Sequence, residues 1–401
     1  MNIYPICKQI ISQVYLGKNL NDELSQYNNN VDIAKIRYLS FGIIRNYFYL
    51  NFIINQLNPK FDKKILIWLQ IGIFELKFSH KPNYAIVNNL VELVNSPQKK
   101  FVNWLLREYL RNKENLDLKI KQDFSIYYNL PNWFINKLKQ QYSNYLAILE
   151  GFNHHPAFGI RLNPQKTNLN DYSELLHQAQ LEYQKIDNKI CLNTPCSIQQ
   201  LPFFDLGWCS IQDIGAQYLI DLLTKHQIKP SKVLDACAAP GGKTCQILEN
   251  YNCELLALDI NPQRLIKVKQ NLQRINLNAS LEVADALKWT TSQQFDLIIA
   301  DVPCSATGTI KRNPDIKLTR QNNDLTKFAQ QQQEIIINLW SLLSNGGHLV
   351  YITCSIFKEE NQYNLEWFIN NLKNCKIIDE LQILPTQFND ALYYAILKKS
   401  L

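Results

Sequence analysis

The chain has no C-x-x-C pair, although ten of its 401 residues are cysteine. Cys191 and Cys196 are spaced loosely, with no histidine close by, so the ligand spacing of a structural zinc site is missing and no metal is expected. No apolar run is long enough to span a bilayer. The most apolar stretch, ILIWLQIGIFEL from Ile65 to Leu76, is short, is interrupted by Gln70 and reads as a buried helix. The opening residues MNIYPICKQI lack both a long apolar core and a small-residue cleavage site. The expectation is a cytoplasmic protein with no membrane association and with reduced thiols. Low-complexity segments and internal repeats are also missing.

What is present is a hydrophobic content of 46%, which suits a globular chain, and a length that suits two or three domains. The formal net charge of +7 is a modest lean toward polyanionic partners.

Residues 1–145 read as an all-α bundle. Apolar residues recur at Ile33, Ile36, Leu39, Ile43, Tyr47, Leu50 and Ile54 with the period of one helix face. Pro82, Pro97 and Pro131 punctuate further helical runs. Arg37, Arg45, Arg107, Arg111, Lys99 and Lys100 form either a basic face or an ordinary solvated surface. Residues 146–225 read as a small α+β domain, with strands at FGIRLN and LEYQKI and a helix at SELLHQAQ capped by Ser173. From residue 226 to 401 strand and helix alternate. KVLDA, ELLALD, LEVAD, DLIIAD and GHLVYIT are the strands, with ALYYAIL last. That alternation specifies a doubly wound, largely parallel sheet, and so an α/β class for this part.

In such sheets ligands bind beyond the carboxyl ends of the strands. Asp235, Asp259, Asp285 and Asp301 each end a predicted strand, Cys304 follows the fourth and Cys354 follows GHLVYIT. Two thiols fifty residues apart therefore share one edge with four acids. A disulfide, a metal site, two core residues and a pair of reactive thiols are the candidates. The turn after Asp235 reads CAAPGGKT, comprising Cys237, Ala238, Ala239, Pro240, Gly241, Gly242, Lys243 and Thr244. It fails the P-loop pattern, because Cys237 stands where the first glycine is required, and it fails G-x-G-x-x-G as well. A helix opening at that turn would turn its positive end toward a carboxylate. Asp259 lies roughly twenty residues on, the spacing at which an acid reaches a ribose diol, and Asp285 is placed to accept from an adenine amino group. A carboxylate, a ribose and an adenine without phosphates describe S-adenosylmethionine.

VLDACAAPGGKT, ALDINPQR, VADA, DVPCSATG and YITCS together resemble the motifs of the RNA cytosine-5 methyltransferases, and the PCS and TCS pair is highly specific to them. GWCSIQDIGAQ matches the family's segment before its catalytic domain. RYLSFGIIR, NYAIVNNLVEL and FVNWLLREYLR resemble a NusB-like RNA-binding domain. The resemblance implies three domains: a NusB-like bundle over 1–145, an RRM-like α+β domain over 146–225, and a Rossmann-like methyltransferase domain over 226–401. It also implies S-adenosylmethionine as cofactor and 16S rRNA as partner, in a protein expected to be a monomer. By the resemblance, Cys354 is the nucleophile, Cys304 assists product release and Asp301 hydrogen-bonds the cytosine. The cofactor would be held by residues 237–243 with Asp259, Asp285 and Asp301. In two places the chain departs from the pattern. DVPCS replaces the commoner DAPCS, and Ala391 stands where a glycine usually follows the aspartate, which puts the local turn in question. A tRNA or another rRNA site as substrate, and a non-catalytic role in RNA binding or ribosome assembly, remain as alternatives.

The chemistry explains why thiols are needed. Carbon 5 of cytosine is a poor nucleophile, and adding a thiolate to carbon 6 turns it into an enamine-like centre. A free thiol, with pKa of about 8.5, is only slightly ionised at neutral pH, so Lys243 and a sulfonium are the expected sources of help. Lys311 and Arg312, in the loop beyond Cys304, are placed in the sequence to reach phosphates.

Overall fold

The computed structural model describes residues 3–400. Residues 1, 2 and 401, the outer limits of the first and third expected domains, lie outside that range. Contacts divide the chain into two compact units, one of residues 1–145 and 310–322 and one of residues 146–309 and 323–401.

The first unit is helical and is built around helix Leu66–Phe78. Ten consecutive residues of that helix, Ile67 to Leu76, are buried, because the apolar run leaves it no polar face to turn outward. Its two buried polar side chains are paired. Gln70 accepts from Tyr15 Oη at 2.7 Å and donates to Asn51, while Glu75 meets Lys81 at 2.6 Å and accepts from Tyr4. A Cβ on Gly42 would fall 2.1 Å from the Phe74 ring, so only glycine lets helix Ile33–Arg45 lie this close. The periodic face read from Ile33 to Ile54 is divided between that helix and Tyr47–Leu57, with Asn46 between them at φ −101° and ψ 22°. No helix of the described residues is long and apolar enough to cross a membrane.

Segment 310–322 packs with this unit although the residues before and after it belong to the second. Asp315 accepts from Leu20 N and Asn19, Lys317 donates to the carbonyls of Arg45 and Asn129, and Leu318 joins the core. Lys311 is buried, and its carbonyl accepts from Arg45. The expectation that the Lys311 side chain reaches phosphates from an open loop is therefore corrected. The other predicted surface cations include three held locally, with Arg37 on Asn28, Arg107 on Asn103 and Arg111 on Glu108.

The second unit holds two sheets. In the smaller, β1 (Phe158–Leu162), β2 (Tyr183–Ile186), β3 (Lys189–Leu192) and β4 (Cys209–Ile211) pair antiparallel in the order β2-β3-β1-β4. Its helix is Leu169–Gln178, capped by Asn168 rather than Ser173, because Asn168 Oδ1 accepts from the amides of Asn170 and Asp171. Ser173 lies buried inside that helix.

The larger sheet comprises β5 (Lys232–Asp235), β6 (Glu254–Asp259), β7 (Ser280–Val283), β8 (Phe295–Asp301), β9 (Leu343–Thr353), β10 (Cys375–Ile383) and β11 (Leu392–Lys399), in the order β10-β11-β9-β8-β5-β6-β7. β5 to β9 are mutually parallel, and β11 runs antiparallel between β9 and β10. Helices cover both faces, so Leu297 and Ile299 of β8 enter one core while Ile298 and Ala300 enter the other. From β5 the chain moves outward to β6 and β7 and then returns to β8 on the other side of β5. The order therefore reverses at the carboxyl ends of β5 and β8, where a doubly wound sheet opens a crevice. The third acid does not end its strand: β7 stops at Val283, and Asp285 lies two residues beyond.

Arg161 of β1 joins the two sheets. It is buried and bidentate to Glu249 at 2.8 Å for each contact, and it also donates to Gln212 and to the Gly242 carbonyl. Arg161→Ala leaves the Glu249 carboxylate buried without its cation, at a cost of about 3–5 kcal/mol. A correspondingly lower urea midpoint for the unfolding of this unit is the expected measurement.

Candidate active site

β5 ends at Asp235, and the turn that follows is held by backbone bonds from Ala238 N to Leu258 O at 2.8 Å and from Gly241 N to Ala238 O at 2.7 Å. Gly241 has φ +99° and precedes helix Gly242–Asn250. A Cβ there would also approach Val268 to 3.1 Å, so both conformation and space require glycine. The Ala239–Pro240 bond is cis. Asp259, buried at the end of β6, receives Ala239 N at 3.1 Å and Asn261 N at 2.9 Å and faces Arg264 at 3.6 Å. It thus braces the turn from the neighbouring strand. Asp285 accepts from Leu287 N at 3.0 Å. Asp235 accepts from Thr244 Oγ1 at 2.7 Å, while its other oxygen is buried with no hydrogen-bond partner among the described residues. Burial pushes the Asp235 carboxyl up to about 7.

Asp301, at the end of β8, pairs with Lys243 at 2.6 Å. Burial opposes the Lys243 charge, yet Asp301, Asp235 and Cys354 together hold its ammonium above the ordinary lysine range. The predicted site residues Lys243 and Asp301 are thus brought into direct contact across the crevice. Burial, with Asp301, Asp235 and Asp259 around it, pushes the Cys237 thiol up and keeps it protonated.

The two motif cysteines meet. β8 and β9 are parallel neighbours, with Asp301 opposite Ile352, so the residues that follow each strand emerge side by side. Cys304 Sγ and Cys354 Sγ are 3.2 Å apart, both half-buried, and all ten cysteines are free thiols. The contact with Cys354, then burial, then the charge of Glu360 raise the Cys304 thiol well above its ordinary range. The two sulfurs are within hydrogen-bonding distance, and either can be the donor. Gly308 N holds the Cys354 carbonyl at 2.9 Å, and Ala391 N holds the Gly308 carbonyl at 3.0 Å. A Cβ on Gly308 would fall 2.5 Å from the Ala391 carbonyl oxygen and 2.8 Å from that of Cys354, so glycine is what lets these backbones meet. The turn questioned from the sequence is formed.

The comparisons with known proteins agree with this geometry. The chain is 35% identical over 419 residues to the ribosomal RNA small subunit methyltransferase B of Proteus mirabilis, with 99% of each chain covered. It is 36% identical over 428 residues to the protein of the same name from Yersinia pestis, again covering 99% of each. This chain belongs to the ribosomal RNA small subunit methyltransferase B family. Residues 223–398 match the family model described as 16S rRNA methyltransferase RsmB/F, residues 130–199 the RsmF/B-like ferredoxin-like domain, and residues 6–111 the NusB family. Among solved structures, PH0851 superposes with a TM-score of 0.76 at 21% identity, covering 100% of this chain and 99% of that one. A methyltransferase homolog protein from Pyrococcus horikoshii gives 0.59 at 23% identity, over 69% of this chain and 98% of that one. These likenesses establish the fold, that of the S-adenosylmethionine-dependent methyltransferases, behind a NusB-like bundle and a ferredoxin-like domain.

S-adenosylmethionine is the cofactor of this family, and the residues present fit it. Asp235 offers a buried oxygen with no hydrogen-bond partner among the described residues, helix Gly242–Asn250 opens at the turn, Asp259 ends β6 and Asp285 lies two residues past β7. Two contributors were not legible as site residues in the sequence. Arg161 anchors the helix that opens at the turn, and its one signal is a cation inside an apolar strand. Glu360 lies beneath the two thiols, six residues after Cys354, with no motif of its own.

Proposed function

We propose that this chain transfers a methyl group to carbon 5 of one cytosine in 16S rRNA, with Cys354 as covalent nucleophile. The observation that supports this reading best is the approach of two thiols to 3.2 Å from the ends of two different strands, beside the Lys243–Asp301 pair. A disulfide enzyme would need a redox partner for that pair, whereas cytosine chemistry needs one sulfur to add and another to help it leave.

S-adenosylmethionine, held by residues 237–243 with Asp259, Asp285 and Asp301, would supply an electrophilic methyl. The rest is the work of the chain. Cys354 adds to carbon 6, and the electron pair displaced from the ring double bond makes carbon 5 nucleophilic. Asp301, fixed by Lys243, is the residue proposed to hold the N3 edge of the cytosine, where charge changes on addition. After methylation carbon 5 gives its proton to a base, the double bond re-forms and the bond to sulfur breaks. Its electron pair returns to Cys354. Cys304, carrying a proton within reach of that sulfur, stabilises the departing thiolate. The target base must leave its stack to reach the crevice, at a cost of roughly a few kcal/mol in a duplex. The cell compartment that fits this substrate is the cytoplasm, and the chain is proposed to act as a monomer.

Methylcytosine mapping by bisulfite sequencing, with and without this gene, tests the reading. Loss of one small-subunit site is the expected result. Loss confined to tRNA would transfer the activity to another substrate, and an unchanged map would leave no methyltransferase role for the chain.

A further inference from the structure

Both reactive cysteines are followed by serine, and the structure gives a reason. Ser305 and Ser355 are fully buried, as is Glu360. One carboxylate collects four donors. Its Oε1 accepts from Ser305 N at 2.8 Å and Gln332 Nε2 at 3.0 Å, and its Oε2 from Ser305 Oγ at 2.5 Å and Ser355 Oγ at 2.6 Å. The two serine hydroxyls are themselves 3.2 Å apart, and Thr307 Oγ1 bridges to both. Beneath them Tyr351 Oη lies 2.6 Å from the Glu360 carbonyl and 2.7 Å from Gln332 Oε1, its one proton shared between the two acceptors.

Resting on the reading above, we infer that Glu360 is the positioning residue for the two thiols, tying the serine after Cys304 to the serine after Cys354 and so holding the sulfurs in reacting register. Strand pairing alone does not do this. The β8–β9 ladder ends at Asp301 opposite Ile352, and Cys304 lies three residues past it in irregular backbone. A carboxylate buried among neutral donors is expensive compared with an apolar filler. Here it is a carboxylate touched by both loops, with enough acceptor sites to satisfy two N–H groups and two hydroxyls at once. Burial raises the Glu360 carboxyl while its four donors pull the other way. Reacting groups tolerate little displacement, and an error of about 1 Å costs on the order of 100-fold in rate.

The test uses the full chain and three variants. Glu360→Ala should lower kcat about 100-fold with little change in KM for RNA. Glu360→Gln should recover most of that loss. Its amide oxygen can accept from Ser305 N and Gln332, and the hydroxyls can turn to accept from its amino group. Ser355→Ala, which frees only the Cys354 loop, should slow adduct formation more than adduct breakdown. A readout independent of RNA is closure of the Cys304–Cys354 disulfide by diamide, in which both thiols are oxidised as the diazene is reduced to a hydrazine. Followed by peptide mass, closure should be about tenfold slower in Ser355→Ala and Glu360→Ala than in the unchanged chain. Unaltered closure and unaltered half-reactions in Ser355→Ala would overturn the inference even if Glu360→Ala fails to fold. Slowed closure in a chain that forms no methylcytosine would keep the clamp and reject the cytosine chemistry.

Discussion

Cys354→Ala is expected to lower methyl transfer by about four orders of magnitude or more, leaving the affinity for S-adenosylmethionine near that of the unchanged chain. The substitution removes the only atom proposed to bond to the cytosine ring, and without that bond carbon 5 has no electron pair to offer. The cofactor side of the crevice is built from other residues. The turn at 237–243 is held by Leu258 and Asp259, and Cys354 makes none of those bonds. Folding should survive, since Cys354 is only half-buried and its backbone carbonyl keeps its bond from Gly308. Calorimetric titration with the cofactor, beside a tritiated-methyl transfer assay on small-subunit RNA, separates binding from chemistry. Turnover retained within tenfold would mean that the sulfur at 354 is not the nucleophile.

Cys304→Ala is expected to behave in the opposite way and to accumulate a covalent protein–RNA adduct, seen as a band that resists denaturing electrophoresis. Addition to carbon 6 still has its nucleophile. Elimination has lost the group that delivers a hydrogen bond to the departing sulfur. Cys304 suits that task because Cys354, burial and Glu360 all favour its protonated form, at a separation of 3.2 Å. Under the proposed mechanism, two chemically identical side chains would be given different work by their surroundings, the usual way one site runs both halves of an acid–base cycle. The adduct should require Cys354, so the double variant should show none. Product release at the unchanged rate in Cys304→Ala would reassign the departure step to another group.

Much of this was legible in the linear chain. The strand–helix alternation from residue 226, the acids at 235, 259 and 301, and the glycine turn follow from local periodicity and turn chemistry. These act over a few residues and leave their mark in the order of side-chain types. Errors came where local signals competed. Ser173 and Asn168 are both good caps, and the apolar period of helix Leu169–Gln178 continues past the serine to start at Leu169. Strands β3, β4 and β10 were missed. β3 and β4 are only four and three residues long, and β10 carries charged residues on its exposed positions. The glycine missing after Asp390 leaves the turn formed, because Ala391 does not adopt a positive φ there and its amide donates to the Gly308 carbonyl at 3.0 Å.

The kinds of chemistry available, two thiols, a lysine and a row of carboxylates on one edge of a parallel sheet, were already written in the order of residues. Their distances were not. That β8 lies beside β9, that segment 310–322 packs with the helical unit, and that Glu360 reaches both serines all depend on which strands become neighbours. Such pairings are chosen by burial and hydrogen bonding summed over the whole sheet, and no short stretch of the chain records that sum.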